Sequence, residues 1–344
     1  MITRLKCECF TAFDNLDISF SPGVNIIIGE NGTGKTHILK AVYSACDITR
    51  SKKNFAEKIN DVFYPSGKQL GRLVKRSQGS SNGFLEISRD IKTGKDIVLK
   101  LSFSNHTTTL EGAKVNGFAK WSDFPMESVF IPVKDMMANA PGFRSLYSLR
   151  NLSFEEIYAD IIDRAFLPAL KGPMDKDRSK LMEILQKAID GKVVTKNEEF
   201  FLKNKQGELE FTLLAEGFRK LGLLWLLIQN GTLLNGSVLF WDEPETNLNP
   251  RLQQTVVSIL LELQRLGVQI FIATHDYVLL KEFDLALRED DKVQFHTLYR
   301  DKKAGTICHN SSDSLDNLDP NAIDSTFGSL IDRQVSKEMG GLGK

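Results

Sequence analysis

Cysteine is scarce in this chain, with four in 344 residues. Cys7, Cys9, Cys46 and Cys308 include no pair of CxxC motifs, so neither a disulfide scaffold nor a structural zinc site is expected. The plain reading is four reduced thiols in a cytoplasmic protein. There is also no excess of charge of either sign. Lys plus Arg is 44 and Asp plus Glu is 44, for a formal net charge of zero. A polycationic nucleic-acid tail is thereby excluded as the main feature, though a local basic patch is not. The longest apolar stretch, near Leu221 to Ile228, falls far short of the roughly 20 residues of a membrane helix. Met1-Ile2-Thr3-Arg4-Leu5-Lys6 has no apolar signal core. No internal repeat is evident, and residues 150–210 lack the sustained heptads of a coiled coil. What is present is an ordinary globular composition, 42% hydrophobic and 26% charged. The length suits two domain-sized units, or one large domain with an insertion.

The pattern along the chain is mixed. Residues 1–46 alternate like strands and then turn helical. Val24-Asn25-Ile26-Ile27-Ile28 reads as a buried strand, and Ile38, Leu39, Val42 and Cys46 recur at helical spacing. Between 50 and 76, eight basic residues meet only Glu57 and Asp61. Residues 84–104 alternate around Lys92-Thr93-Gly94-Lys95, an expected antiparallel hairpin. Residues 153–190 read as helical, broken at Lys171-Gly172-Pro173, and 192–213 as strands turning at Lys205-Gln206-Gly207. A long apolar helix begins near Ala215. Ser237 to Trp241 and Val268 to Ala273 read as buried strands, separated by a helix from about Arg251 to Leu266.

Three motifs carry chemistry. Gly29-Glu30-Asn31-Gly32-Thr33-Gly34-Lys35-Thr36 fits G-x-x-x-x-G-K-[ST] and lies between an apolar strand and an amphipathic helix, as a phosphate-binding loop requires. Its backbone N–H groups and the helix N-terminus suit an anion, Lys35 the β- and γ-phosphates, and Thr36 a Mg²⁺ ion. The second motif is an apolar strand that ends in Asp242-Glu243. Asp242 is a candidate to hold the metal's water shell, and Glu243 to orient or deprotonate an attacking water. Glu245 reads as structural. The third is Thr274-His275-Asp276 at the tip of another buried strand, where ligands of parallel sheets collect; His275 is a candidate γ-phosphate contact.

The order of these motifs, with a helix opened by Leu214-Ala215-Glu216-Gly217-Phe218-Arg219-Lys220 before Asp242-Glu243-Pro244-Glu245, resembles the ABC-type ATPases. Gly-x-Asn-Gly-x-Gly-Lys is similar to the P-loop of their SMC/RecF-like branch and of the ATPase domain of the OLD (overcoming lysogenization defect) family. Phe130-Ile131-Pro132, Ala140-Pro141-Gly142-Phe143 and Phe295 to Arg300 also look like that bacterial group. The resemblance implies an α/β P-loop NTPase: one ABC-like head over 1–344 with a mixed sheet, an antiparallel β subdomain and a helical insertion. A basic and antiparallel β insertion is expected at 50–125, a helical/β lid at 145–210, and a C-terminal strand and helix at 295–344. It implies ATP and Mg²⁺ as ligands. Leu214 to Phe218 becomes the signature segment that caps the partner's γ-phosphate, with contacts at Ala215, Glu216 and Gly217. Asn247-Leu248-Asn249 becomes the D-loop and His275 the switch histidine. Two departures stand out: Ala215 replaces the signature serine of transporters, and Lys134 and Asp135 stand where a Q-loop glutamine is expected.

Three readings follow. The first is an ATP-hydrolysing homodimeric switch that controls a separate effector chain, a nuclease or toxin, in bacterial defence against phage. Only about seventy residues follow His275, and none form a metal-rich nuclease motif, so the effector is expected elsewhere. The second is an SMC/RecF-like DNA-repair ATPase that clamps nucleic acid through 50–76. The third is a non-enzymatic nucleotide-bound scaffold, disfavoured by the presence of both Lys35 and Glu243. The first is preferred.

Overall fold

Alternation of apolar residues builds the first layer. The computed structural model describes residues 1–91, 95–150 and 152–341. Strands β1 (Ile2–Phe10) and β2 (Phe13–Ser19) form a hairpin that buries Leu5, Cys7, Phe10, Leu16 and Ile18 on one face. The next strand, β3 (Val24–Gly29), is buried on both faces and enters a different sheet. It feeds α1 (Lys35–Ser51), after which come α2 (Phe55–Phe63), β4 (Asn82–Arg89), β5 (Ile97–Ser104), β6 (Lys114–Asn116) and α3 (Phe118–Ser122). The antiparallel sheet runs β2-β1-β4-β5-β6. The expected hairpin of 84–104 is there, although its turn residues Lys92, Thr93 and Gly94 lie outside the described residues. Its sheet is larger than the 50–125 segment, because β1 bonds β4 from Ile2↔Arg89 to Glu8↔Phe84. The first twenty residues therefore supply two of its five strands.

The middle layer is a six-stranded sheet. After β7 (Ser128–Ile131) the chain makes α4 (Phe143–Arg150), α5 (Glu156–Ala165) and α6 (Lys176–Ala188). A small antiparallel sheet follows, β8 (Lys192–Lys196), β9 (Glu199–Asn204) and β10 (Gly207–Glu210), then α7 (Glu216–Gln229). The chain re-enters the large sheet as β11 (Val238–Asp242), crosses by α8 (Pro250–Arg265) to β12 (Gln269–Ala273), and continues through α9 (Tyr277–Ala286) to β13 (Val293–Arg300) and β14 (Ile307–Ser312). The order is β14-β13-β3-β12-β11-β7, parallel except for β14. Helix α10 (Ala322–Gly341) is last.

Period-2 alternation along the parallel strands splits the core in two. Ile27, Phe130, Phe240 and Phe271 face α1 and the antiparallel sheet. Ile26, Ile131, Leu239, Trp241, Ile270 and Ile272 face α5 to α9. Helix α1 is thus enclosed between two sheets. The parallel register brings the C-terminal ends of β3, β12 and β11 to one edge, and the three motifs with them.

Candidate nucleotide site

The loop between β3 and α1 needs its glycines. Gly29 has φ +148°, and a Cβ there would sit 2.3 Å from the Leu298 carbonyl oxygen on β13. Gly34 has φ +96°, and a Cβ would meet the Phe13 ring at 2.5 Å. Within the loop, Thr33 Oγ1 donates to the Glu30 carbonyl at 2.8 Å, while Glu30, Asn31 and Gly32 face outward. Lys35 Nζ donates back to the carbonyls of Gly29 at 2.7 Å and Glu30 at 3.2 Å. Burial lowers the pKa of Lys35, and the charges of Glu243, Asp242 and Glu245 oppose that shift.

Thr36 and Asp242 meet across the sheet edge. The Thr36 hydroxyl donates to both carboxylate oxygens of Asp242, at 2.9 and 3.1 Å. A hydroxyl and a carboxylate side by side are the oxygen donors a hard divalent cation takes. Asp242 is 4% exposed, and burial pushes its pKa up to about 6. A cation at that point would remove the cost of its charge, so these residues fit Mg²⁺. Lys40, one turn past Thr36 on α1, is held by Glu155 at 2.6 Å and adds positive charge that favours ionised Asp242. Sequence reading missed this pair, because nothing in the spacing links 40 to 155.

Glu243 and His275 converge from adjacent strand ends. His275 Nδ1 lies 3.2 Å from Glu243 Oε1. Glu243 has φ +47°, unusual for a non-glycine residue, and its N–H is pinned to the Ala273 carbonyl at 2.8 Å. Thr246 Oγ1 donates to its other oxygen at 3.3 Å. Behind them Glu245 is buried and accepts from Thr274 Oγ1 at 2.8 Å and from the His275 N–H at 3.3 Å. Glu245 thus supports the histidine loop, the structural part expected for it.

The helix at Ala215 makes its contacts with residues 246–248 of its own chain. Ala215 caps α7 without a side-chain hydrogen bond and is exposed. Asn247 Nδ2 donates to Glu216 at 2.9 Å, and Lys220 Nζ to the Thr246 carbonyl at 2.6 Å. Gly217 is buried, and a Cβ there would sit 3.0 Å from Leu248. Arg219 is engaged within the fold. It donates to Asp135 at 2.5 Å and to the Leu214 carbonyl at 2.6 Å. Asp135 thus anchors the start of α7.

The basic segment 50–76 reads differently once folded. Arg50 pairs with Glu127, Lys53 with Asp61 and Glu156, Lys68 with Asp61, and Lys75 with Asp14. Lys58 is fully buried, with Asp47 and Asp160 each at 2.7 Å and Glu156 at 3.4 Å. Arg164 completes the cluster, 2.6 Å from Asp47. The local surplus of +6 was counted along the chain, whereas the balancing carboxylates come from α1, α5, β2 and Glu127 just before β7. Five of the eight basic side chains face carboxylates in the fold, so most of the local surplus is balanced there. Helix α10 was also underestimated. Ala322, Ile323, Thr326 and Phe327 close a cavity of about 300 Å³ with Gly29, Glu30, Asn31 and His275. The C-terminal helix was expected, but nothing in its sequence placed these residues beside the phosphate loop.

The fold and this edge of convergent residues are those of an SMC head-like α/β fold with a P-loop, ABC-like head. The chain belongs to the family described as "AAA domain, putative AbiEii toxin, Type IV TA system", whose model matches residues 104–281. It is similar to the DNA replication and repair protein RecF of Halalkalibacterium halodurans, 52% identical over 42 residues, 12% of this chain and 11% of that protein. RecF of Limosilactobacillus reuteri is 32% identical over 91 residues, 24% of each. These matches span about a tenth to a quarter of the curated relatives. Among solved structures, an SMC head bound to the C-winged-helix domain of ScpA aligns with TM-score 0.58 at 14% identity, covering 91% of this chain and 98% of that one. The SMC head domain from Thermotoga maritima aligns with TM-score 0.51 at 14% identity, covering 90% and 98%. At that identity the likeness shows the fold.

Proposed function

We propose that the protein binds and hydrolyses ATP, and that two copies close head to head over the nucleotides. The observation that carries this reading is the approach of Glu243 and His275 at 3.2 Å beside the Lys35 loop. Glu243 accepts the proton of a water aimed at the γ-phosphate. His275 orients Glu243 and donates toward the same phosphate. The N–H groups of the loop, Lys35 Nζ and the N-terminus of α1 hold the phosphate chain. To do so, Lys35 exchanges its two loop carbonyls for phosphate oxygens. Thr36 and Asp242 would hold Mg²⁺, which when bound shields the charge on the β- and γ-phosphates. The partner's Ala215, Glu216 and Gly217 would cover the open side through backbone N–H groups, since Ala215 offers no hydroxyl.

The closed pair would act on a separate effector chain, a nuclease or toxin, in defence against phage. Membership of a family described by a toxin–antitoxin system supports an effector link. A repair ATPase that clamps nucleic acid is the second reading, supported by the likeness to RecF and to SMC heads. Among the described residues no helix is long and apolar enough to cross a membrane, and the site of action is proposed as cytoplasmic. The test is turnover and nucleotide binding by purified protein and by Lys35→Ala and Glu243→Gln. Lys35→Ala should lose binding, whereas Glu243→Gln should bind ATP and turn over at least about 10²-fold more slowly. Unchanged turnover in Glu243→Gln removes the assignment.

A further inference from the structure

The start of α10 stands over the side of the site that holds His275. Ala322, Ile323, Thr326 and Phe327 share a cavity of about 300 Å³ with Asn31 of the phosphate loop and with His275. No side chain on this wall suits a phosphate. Three of the four are apolar, and the Thr326 hydroxyl is spent on the Ala322 carbonyl at 2.7 Å. Asp324, in the same first turn, adds a negative charge, and its N–H is taken by Asn321 Oδ1 at 3.1 Å. A transition state that gathers charge on a phosphate needs donors around it, and these side chains supply none. The segment before the helix is fixed. Thr297 Oγ1 donates to the Pro320 carbonyl at 2.8 Å and Asn310 Nδ2 to that of Asp319 at 2.7 Å, and Leu315 and Leu318 are buried. The helix itself is held lightly. Phe327 stacks on Tyr277 with ring centroids 3.9 Å apart and planes at 16°, yet stays 37% exposed. From Gly328 to Met339 every residue is exposed.

We infer that the start of α10 is an autoinhibitory strap. It covers the γ-phosphate side of the site in the resting chain and has to lift before bound ATP can react. The inference rests on the ATP-binding reading proposed above, which puts the γ-phosphate between the Lys35 loop and His275. With the strap down, the most charged end of the nucleotide would face Ile323 and Phe327, which can neither donate to it nor neutralise it. Binding of ATP therefore favours the lifted state over the covered one, as a ligand does when it interacts differently with two conformations. Lifting breaks no interior packing. It separates Phe327 from Tyr277 and uncovers the cavity, while Leu330, Ile331, Val335 and Met339, at 47–68% exposed, add little to the hold. The anchored carbonyls of Asp319 and Pro320 leave a fixed base from which the helix can swing.

Amide hydrogen exchange over residues 322–328, with and without ATP in the Glu243→Gln protein, reads the strap directly. A helix released from its tertiary contacts frays, so exchange there should quicken when ATP binds. Lys35→Ala should show no such change. Ile323→Ala with Phe327→Ala removes the cover but keeps a good helix former at both positions, and circular dichroism should match the parent. A cover that is mostly down lowers the reactive fraction, so this double variant should turn ATP over at least about fivefold faster than the wild type. Exchange that slows or stays the same on ATP binding overturns the strap, as does turnover in the double variant no higher than in the wild type. Helix α10 is then a fixed wall, and the ATPase reading stands. If the wild type binds no ATP, or turnover survives Lys35→Ala, the nucleotide reading itself fails and the inference with it.

Discussion

Glu243 Oε1 and His275 Nδ1 lie 3.2 Å apart although 32 residues separate them along the chain, because β11 and β12 pair in parallel register and end together at Asp242↔Ala273. The positive φ of Glu243 turns its side chain toward the histidine and away from the sheet. If His275 orients the base, His275→Ala should lower kcat by about 10- to 100-fold with little change in ATP affinity. Loss of Glu243 should outweigh loss of His275, and the double variant should be scarcely worse than Glu243→Gln alone. Steady-state kinetics on the three proteins checks this; additive effects would mean that the residues act independently.

Asp242 carries a charge that the nucleotide-free fold tolerates poorly. Its pKa is raised to about 6, above the ordinary aspartate range, so the fold binds this proton more tightly than the unfolded chain. The group therefore costs stability progressively as pH rises from about 4 to about 6. Asp242→Asn should raise the stability of the ligand-free protein at pH 7.5 by on the order of 2 kcal/mol while abolishing turnover. Thermal melts without nucleotide provide the measurement. A lower Tm in Asp242→Asn would show that the Thr36 bond outweighs the buried charge.

The Lys58 cluster should be among the most sensitive points of the structure. Its ammonium is the shared partner of Asp47, Asp160 and Glu156. Burial alone would raise the pKa of Asp47, but Lys58 and Arg164 hold it down at about 2. Lys58→Met leaves these carboxylates with less compensation and should cost about 3–5 kcal/mol. Denaturant midpoints read this directly, and a loss below about 1 kcal/mol would mean that water or proton uptake replaces the lysine.

Acid should weaken the fold through its buried histidines. His296 is fully buried, with Nδ1 3.1 Å from His309 Nε2 and Nε2 3.3 Å from Asn25 Oδ1. Burial, then the nearby His309, lowers its pKa to about 3. The unfolded chain takes up this proton near pH 6.5 and the folded one does not. The contribution is complete above pH 6.5 and declines as pH falls toward 3. His296→Gln should be less stable at pH 7.5 yet lose stability less steeply between pH 6.5 and 4. Urea titrations across that range test it, and parallel pH slopes for the two proteins would exclude His296 as a source of acid sensitivity.

The motifs at 29–36, 242–243 and 274–276 were legible because each sits at the end of an apolar run whose period and length mark a buried strand. The parallel sheet then had to bring those ends to one edge. The role of segment 50–76 was not legible, because Lys53, Lys58 and Lys75 find their carboxylates at 156, 160 and 14, separations that a running charge count does not see. Arg219 and Asp135 escaped for the same reason. The share of the first twenty residues in the antiparallel sheet depends on β1 pairing with β4, a long-range choice that alternation alone leaves open. Helix α10 was expected, as the C-terminal helix of 295–344, but its place beside the phosphate loop was not. Hydrophobic periodicity identifies helices by the face they bury, and this one buries almost none.

Thirteen of the 17 residues of α1 are buried, and its apolar side chains belong to the core shared with both the antiparallel sheet and the parallel one. Most surface helices are gripped along one side and can rock. This one works as a spar between two plates, with the phosphate loop at its tip and Asp47, tied to Lys58 and Arg164, near its far end. Close-packed side chains transmit displacement with little give. Any displacement of the tip would find little slack there, and would be carried along the rod to the ion pairs that join α1 to α2 and α5.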